Sequence, residues 1–141
     1  MSLSHGQAAA MVDLVRAELE LREAAAAVAV VDTHGELVAF LRVDGCKLPS
    51  ISIAINKAFT AAREQIATSE LGARSREEGF PMTNFGDPRY VSWGGGIPLV
   101  RDGQVIGGIG VSGLPEHEDI ELAVLAAATI SEEPTEGPAD G

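Results

Sequence analysis

The sequence predicts an antiparallel α+β domain in which two β-hairpins are covered by helices, and three observations predict it. Two segments rich in valine and isoleucine are each interrupted by a turn that contains Asp and Gly, at residues 32–35 and 102–103. Helical periodicity of apolar residues precedes, separates and follows these hairpins. No GxGxxG motif follows a strand in a βαβ unit and no P-loop is present, so a Rossmann fold is not expected. At 141 residues, the chain is long enough for one self-sufficient core.

The N-terminal half is predicted to form a helix, a hairpin and a second helix. Residues 4–22 carry apolar side chains at helical spacing, which indicates an amphipathic helix. Residues 26–31 are apolar and rich in valine, as in a strand buried on both faces, and residues 36–43 form its hairpin partner. Ser50 is expected to cap the next helix. The apolar face of this helix comprises Ile51, Ile55, Ala58, Ala62 and Ile66. Lys57 falls roughly 140° from the centre of that face and is therefore predicted to point away from the core.

The C-terminal half is predicted to hold a short helix, a long loop, the second hairpin and a last helix. The short helix covers residues 71–78, and the loop over 79–88 is aromatic-rich, either because it is anchored to the core or because it is functional. The last helix, over residues 116–130, has an apolar stripe formed by Ile120, Val124, Ala127 and Ala128. Residues 132–141 are predicted to be a disordered acidic tail, which leaves a single domain over residues 1–131.

Charge and composition exclude several function classes. The formal net charge is −11, and no Lys or Arg follows Arg101. Such a surface repels phosphate backbones, so nucleic-acid binding is not expected, and solubility is the simplest role of the acidic residues. The N-terminus has no basic signal region and no apolar run could cross a bilayer, which predicts no membrane association. A single cysteine, Cys46, fits a reducing compartment, and we expect a cytoplasmic protein.

Glycines are concentrated between residues 94 and 113. Because glycine weakens strands, such a cluster indicates that the backbone closely approaches a ligand or another protein segment. We expect the bends near residues 95 and 112 to meet in space and to leave a recess for a small molecule.

A series of short motifs resembles the GlcG/HbpS-like family, which includes the C-terminal domain of PduO proteins. The motifs are Val30-Val31-Asp32-x-x-Gly35, Arg42-x-Asp44-Gly45, Lys57-Ala58-x-Thr60-Ala61, Gly94-Gly95-Gly96-Ile97-Pro98 and the glycine-rich run from Ile106 to Gly113, followed by Glu118-Asp119. The resemblance covers about residues 5–130. It implies a profilin-like fold, with a five-stranded antiparallel sheet flanked by helices, and a homo-oligomer. Some members bind haem or are linked to haem degradation, and others accompany corrinoid or glycolate metabolism. Haem is thus the cofactor that the resemblance suggests, without fixing it.

The candidate ligand-binding residues lie in the two glycine loops and at the end of the first hairpin: Gly94, Gly95, Gly96, Ser112, Gly113 and Arg42. Backbone N–H groups after Ser112 could cradle a carboxylate or phosphate at a helix start. The acidic residues that follow oppose a free anion, and they point instead to helix capping.

Lys57, His117 and Asp119 are the candidate catalytic residues. Lys57 could hold a substrate carboxylate or haem propionate, or act as a base when desolvated, and the alternative is a solvated helix face. His117 adjoins two carboxylates that could raise its pKa, although a surface position is the simpler interpretation. Asp119 is a candidate acid that could move protons in the same pocket.

The remaining histidines and the cysteine give weaker signals. His5 and His34 have no helix-spaced partner, so no metal site is expected. Some PduO-type domains use an N-terminal histidine on haem, and His5 lies near that region. Cys46 could be a thiolate ligand or nucleophile, but a small buried core residue is the simpler interpretation.

Three functions stay open at this point. The first is a small-molecule-binding protein associated with haem or a corrinoid. The second is a metal-independent enzyme for a small carbonyl or carboxylate metabolite, which would use Lys57 and an acid or base partner in a glycine-lined pocket. The third is an oligomeric structural module without a ligand. We favour the first.

Overall fold

The computed structural model describes residues 2–132, and every structural statement below refers to them. The elements in chain order are α1 (His5–Leu21), β1 (Ala27–Asp32), β2 (Leu37–Arg42), α2 (Pro49–Glu64), α3 (Thr68–Glu78), a 3₁₀ turn (Met82–Phe85), β3 (Gly96–Arg101), β4 (Gln104–Ser112) and α4 (Glu116–Ser131). Both predicted hairpins and all four predicted helices are present. The predicted disordered tail lies outside the described residues, apart from Glu132.

The four strands form one antiparallel sheet in the order β2-β1-β4-β3. Helices α1 and α4 cover one face, where Val28, Val30 and Ile109 belong to the larger core. Helix α2 covers the other face, where alanines of β1 pack on alanines of α2. Layers of this kind follow from a sheet that is apolar on both faces.

The five strands implied by the resemblance are wrong for the described residues, which contain four. Two described segments outside the hairpins and the helices, residues 43–48 and 86–95, contain the turn-forming residues Gly45, Gly86, Pro88, Gly94 and Gly95. Glycine and proline disfavour a regular ladder, so these segments form turns and extended connections instead of a fifth strand.

The second hairpin turns at the predicted Asp-Gly pair. Asp102 and Gly103 both have positive φ, of 51° and 76°, as a type I′ turn requires. In the long loop, the aromatic side chains serve as anchors, because the ring of Tyr90 stacks on Phe85 at 4.3 Å and meets the edge of the buried Phe59 at 5.4 Å. Of the two interpretations of that loop, these contacts favour anchoring to the core.

Two details of the helices differ from the prediction, the cap of α2 and the buried face of α4. Ser50 is not the cap of α2: the cap position is Leu48 and the helix begins at Pro49, two residues before the predicted start, and the Ser50 side chain is buried. In α4, Val124 of the predicted stripe is 48% exposed. The buried face of α4 comprises Leu122, Ala123, Ala126, Ala127 and Ile130. Because α4 is apolar around most of its circumference, periodicity alone could not identify the face that packs.

Candidate functional site

The glycines of β3 and β4 allow α2 to lie unusually close to the sheet. A Cβ at Gly110 would be 2.1 Å from the carbonyl oxygen of Ala54, and one at Gly108 would be 2.4 Å from that of Ala58. A Cβ at Gly96 would be 2.3 Å from the carbonyl oxygen of Lys57. No side chain larger than hydrogen fits at these distances. The close approach predicted for this cluster is therefore made by another protein segment, α2, at all three positions.

The close packing of α2 places Lys57 inside the protein. Its side chain is 3% exposed and passes over the sheet, with Cβ at 3.0 Å from the position of a Cβ at Gly110. The ammonium Nζ donates to the carbonyl oxygen of Val111 at 2.8 Å. The prediction that Lys57 points away from the core is wrong. The apolar face had been centred on the isoleucines, whereas the face that meets the glycines is formed by alanines and by the aliphatic stem of Lys57.

Asp119, in the first turn of α4, is the partner of Lys57. Its Oδ2 lies 3.1 Å from Lys57 Nζ, and its Oδ1 accepts a hydrogen bond from the backbone N–H of Leu114 at 3.1 Å. Burial lowers the pKa of Lys57 and raises the pKa of Asp119, and in each case the opposite charge of the partner counteracts the effect. The two groups thus form a hydrogen-bonded ion pair shielded from water.

The bends near residues 95 and 112 meet as predicted, and a recess opens beside them. The backbone N–H of Val111 donates to the carbonyl oxygen of Gly95 at 3.0 Å, which joins the two bends. The recess has a volume of about 480 Å³. Its lining consists of Ser50, Ile53, Lys57, Trp93, Gly94, Ser112, Gly113, Leu114, Glu116 and Asp119. Gly95 and Gly96 are buried next to Lys57 and do not line it.

Trp93 and Glu116 are among the lining residues that the sequence did not identify as site residues. Trp93, the only tryptophan of the chain, is 59% exposed. Glu116 accepts a hydrogen bond from the N–H of Gly94 at 2.7 Å through Oε2, and so fastens the glycine bend to the start of α4. A lone tryptophan directly before three glycines was the available signal for the first. Glu116 is one of several acidic residues in this part of the sequence, and nothing distinguished it from the others.

Other predicted site residues lie elsewhere. Arg42 is exposed at the end of β2, and Ala27 of β1 lies between it and Ser112 in the sheet, so two strand spacings, about 10 Å, separate them. His117 is exposed and does not line the recess. Cys46 is half-buried, and burial raises the pKa of its thiol, which opposes a thiolate role.

The donor set of the recess does not fit haem iron. Proteins hold haem iron with His, Cys, Met or Tyr side chains, and the described lining has none of these. The described residues also hold no group of three His, Cys, Asp or Glu side chains arranged to bind a metal ion. No helix in this part of the chain is long and apolar enough to span a membrane.

Comparison with known proteins gives consistent matches. A family model for the haem-degrading, HbpS-like proteins matches residues 3–128. The chain is 35% identical to Protein GlcG of Escherichia coli K12 over 135 residues, which cover 92% of this chain and 95% of that protein. It is 34% identical over 106 residues to the corrinoid adenosyltransferase PduO of Salmonella typhimurium, covering 74% of this chain but 32% of PduO, and so spans about a third of that enzyme. The crystal structure of a complex of PduOC with haem superimposes with a TM-score of 0.85 at 29% identity, covering 92% of this chain and 96% of the other. These similarities lend no support to the alternative of a metal-independent enzyme.

Proposed function

Since the chain belongs to the family of HbpS-like, haem-degrading proteins, we propose that it binds a small molecule in the recess between the Gly94 and Ser112 bends. The observation that carries the proposal is the buried Lys57–Asp119 pair beneath this opening. Three separate elements (α2, the glycine bends and the start of α4) converge on it.

The ion pair is poorly explained by stability alone. Replacing a buried ion pair with apolar residues of similar volume is often neutral or stabilising, so a purely structural role does not require one. Polar groups that converge in a concave, partly apolar site are typical of ligand pockets, which range from about 300 to 1,000 Å³. A recess of about 480 Å³ with Ile53, Trp93 and Leu114 beside the polar groups has this composition.

Native mass spectrometry on the purified chain, after incubation with cell extract, tests the proposal. We expect a bound small molecule, whose binding also changes the fluorescence of Trp93 because this residue lines the recess. Ile53→Phe enlarges a side chain of the lining and should reduce the affinity at least ten-fold. Ile51→Phe is the matched control, because Ile51 is also half-buried on α2 but does not line the recess. Binding that is absent, or equally strong in Ile53→Phe, would show that the recess is not the binding site.

Haem association is a second candidate function, favoured by the similarity to PduOC. The recess lacks an iron ligand, so a residue outside it would have to supply one, and His5 is the candidate that the resemblance suggests. His5 is exposed at the start of α1, and the neighbouring Leu3 packs near Gly107, about 17 Å along β4 from Ser112. A haem held by His5 therefore occupies a different site from the recess ligand.

Absorption titration with haem separates the two sites. The haem hypothesis predicts a Soret band that is lost in His5→Ala and retained in the control His34→Ala, whose histidine lies in the exposed β1–β2 turn. Ile53→Phe should leave this band unchanged. A band that Ile53→Phe abolishes, or no band at all, would refute haem binding at His5.

A further inference from the structure

The recess carries a net negative charge although a lysine lines it. Lys57 is neutralised by Asp119 and directs hydrogen bonds to two partners, the Asp119 carboxylate and the Val111 carbonyl. With 3% of its side chain exposed, it offers almost no surface to a ligand. The third charged residue of the lining is Glu116, so the three together carry a net charge of −1. A carboxylate ligand would add a second uncompensated negative charge there.

The Glu116 carboxylate has an acceptor oxygen that a ligand can use. One of its oxygens, Oε2, accepts the N–H of Gly94, and no second hydrogen bond to the carboxylate occurs within residues 2–132. A carboxylate has two acceptor oxygens. Glu116 is exposed, so this remaining acceptor is accessible from the recess and from solvent.

A tryptophan that lines the same recess completes the pattern. Glu116 bonds to the peptide N–H that directly follows Trp93, which places the carboxylate within about 5 Å of the Trp93 backbone. Trp93 itself is 59% exposed at the rim. A carboxylate and a partly exposed tryptophan on one recess are the groups that recognise an ammonium ion, by charge and by the cation–π interaction.

From this juxtaposition we infer that the recess takes a small molecule that carries an ammonium group and excludes carboxylates. The inference rests on the proposed function and specifies its ligand class. The ammonium group contacts Glu116 and Trp93, and the apolar body of the ligand packs on Ile53 and Leu114.

Three probes of the same shape but different charge test the inference. They are choline, the neutral isostere 3,3-dimethyl-1-butanol and the anion 3,3-dimethylbutanoate, each titrated against the fluorescence of Trp93, the chain's only tryptophan. Choline should saturate the signal, bind about ten-fold more tightly than the alcohol, and lose affinity as ionic strength rises. The carboxylate should produce no saturable change.

Variants at two glutamates in the first turn of α4 test which carboxylate binds the ammonium group. Glu116→Gln keeps an acceptor for the N–H of Gly94 but removes the charge, and should weaken choline binding about ten-fold without affecting the alcohol. Glu118→Gln is the control, because Glu118 lies in the same helical turn but does not line the recess. Circular dichroism confirms that each variant is folded, and Glu116→Asp, which keeps the charge, should retain the preference for choline over the alcohol.

The outcomes separate the inference from the proposal on which it rests. A preference for the alcohol or the carboxylate, or equal choline affinity in Glu116→Gln, would overturn the ammonium class while leaving the recess as a binding site. The same holds if a neutral or anionic molecule from extract binds in a manner sensitive to Ile53→Phe. If nothing binds in the recess at all, the proposed function itself fails.

Discussion

Replacing Asp119 with asparagine perturbs the buried ion pair on which the site is built. The Lys57 and Asp119 side chains are 3% and 4% exposed, so neither charge is solvated. In Asp119→Asn, the ammonium group keeps the Val111 carbonyl as an acceptor but loses its hydrogen-bonded carboxylate; of the two carboxylates that raise its pKa, the exposed Glu116 remains. We expect the free energy of unfolding to fall by about 3–5 kcal/mol, the usual cost of leaving one member of a buried pair without the other.

Thermal unfolding followed by circular dichroism measures this loss. For a chain of this length, about 3–5 kcal/mol corresponds to a decrease in Tm of roughly 10–20 °C. The double variant Lys57→Met/Asp119→Leu removes both charges and keeps apolar bulk, so its stability should return to within about 2 kcal/mol of the unsubstituted chain. Glu118→Gln, in the same turn of α4, should change the stability by less than about 0.5 kcal/mol.

The pH dependence gives an independent check on the same pair. Burial raises the pKa of Asp119 above the ordinary 3.8, so the folded chain binds its proton more tightly than the unfolded chain does. Its contribution to stability therefore falls as pH rises through the window just above 3.8. Burial lowers the pKa of Lys57 below 10.5, so its contribution rises with pH in the window just below 10.5.

The stability of the unsubstituted chain relative to the double variant should show both trends. A single Asp119→Asn substitution that costs less than about 1 kcal/mol, or a double variant as unstable as the single one, would refute the argument that the pair is buried and charged.

Three further predictions concern packing, a buried hydrogen bond and a surface carboxylate. Gly110→Ala should destabilise the chain by about 3 kcal/mol or more in urea unfolding, because its Cβ would lie 2.1 Å from a backbone oxygen of α2. Thr68→Val should cost about 1–3 kcal/mol in the same assay, because the fully buried Thr68 hydroxyl accepts the N–H of Gly96 at 2.9 Å. The carboxyl of Asp87, whose pKa hydrogen bonds from Arg89 lower to about 2, should titrate near that value by NMR, and its stabilising effect should be lost as pH falls through about 2.

Each of these predictions has a matched control. Gly6→Ala, where the nearest atom to the new Cβ is 3.8 Å away, should leave the stability unchanged or higher. Thr68→Ser retains the hydroxyl and should keep most of the stability lost in Thr68→Val. Arg89→Ala should raise the pKa of Asp87 towards 3.8. A tolerated Gly110→Ala, equal stability of the two Thr68 variants, or an unchanged Asp87 titration would contradict the respective reasoning.

The order of elements was predictable because local signals determine it. The Asp102-Gly103 pair requires two positive φ angles that few other sequences adopt, and alternation between helical and strand periodicity located the remaining elements. The strand count and the packed face of α4 depend on contacts between distant segments, which periodicity does not record. The homo-oligomer, the cytoplasmic location and the absence of nucleic-acid binding stay predictions.

Only part of the site's membership was predictable from the sequence, and the orientation of its lysine was not. The glycine bends, Lys57 and Asp119 were all singled out from the sequence, and the structure brings them together. The predicted orientation of Lys57 was wrong because a helical wheel treats lysine as polar, although its aliphatic stem is apolar enough to pack on a sheet. No sequence signal showed that its hydrogen-bonded partner would be a carboxylate 62 residues away.

The glycine cluster and the charge of the recess are two consequences of one packing arrangement. Glycines in β3 and β4 let the backbone of α2 approach the sheet, and this approach carries Lys57 below the surface and next to the end of β4. A buried ammonium requires an opposite charge, which Asp119 supplies. Once the pair is neutral, Glu116 alone determines the sign of the recess. The glycines would thus act on the proposed ligand indirectly, because they determine which charges line the recess, and a Cβ at Gly110 that pushed α2 outwards should alter binding as well as stability.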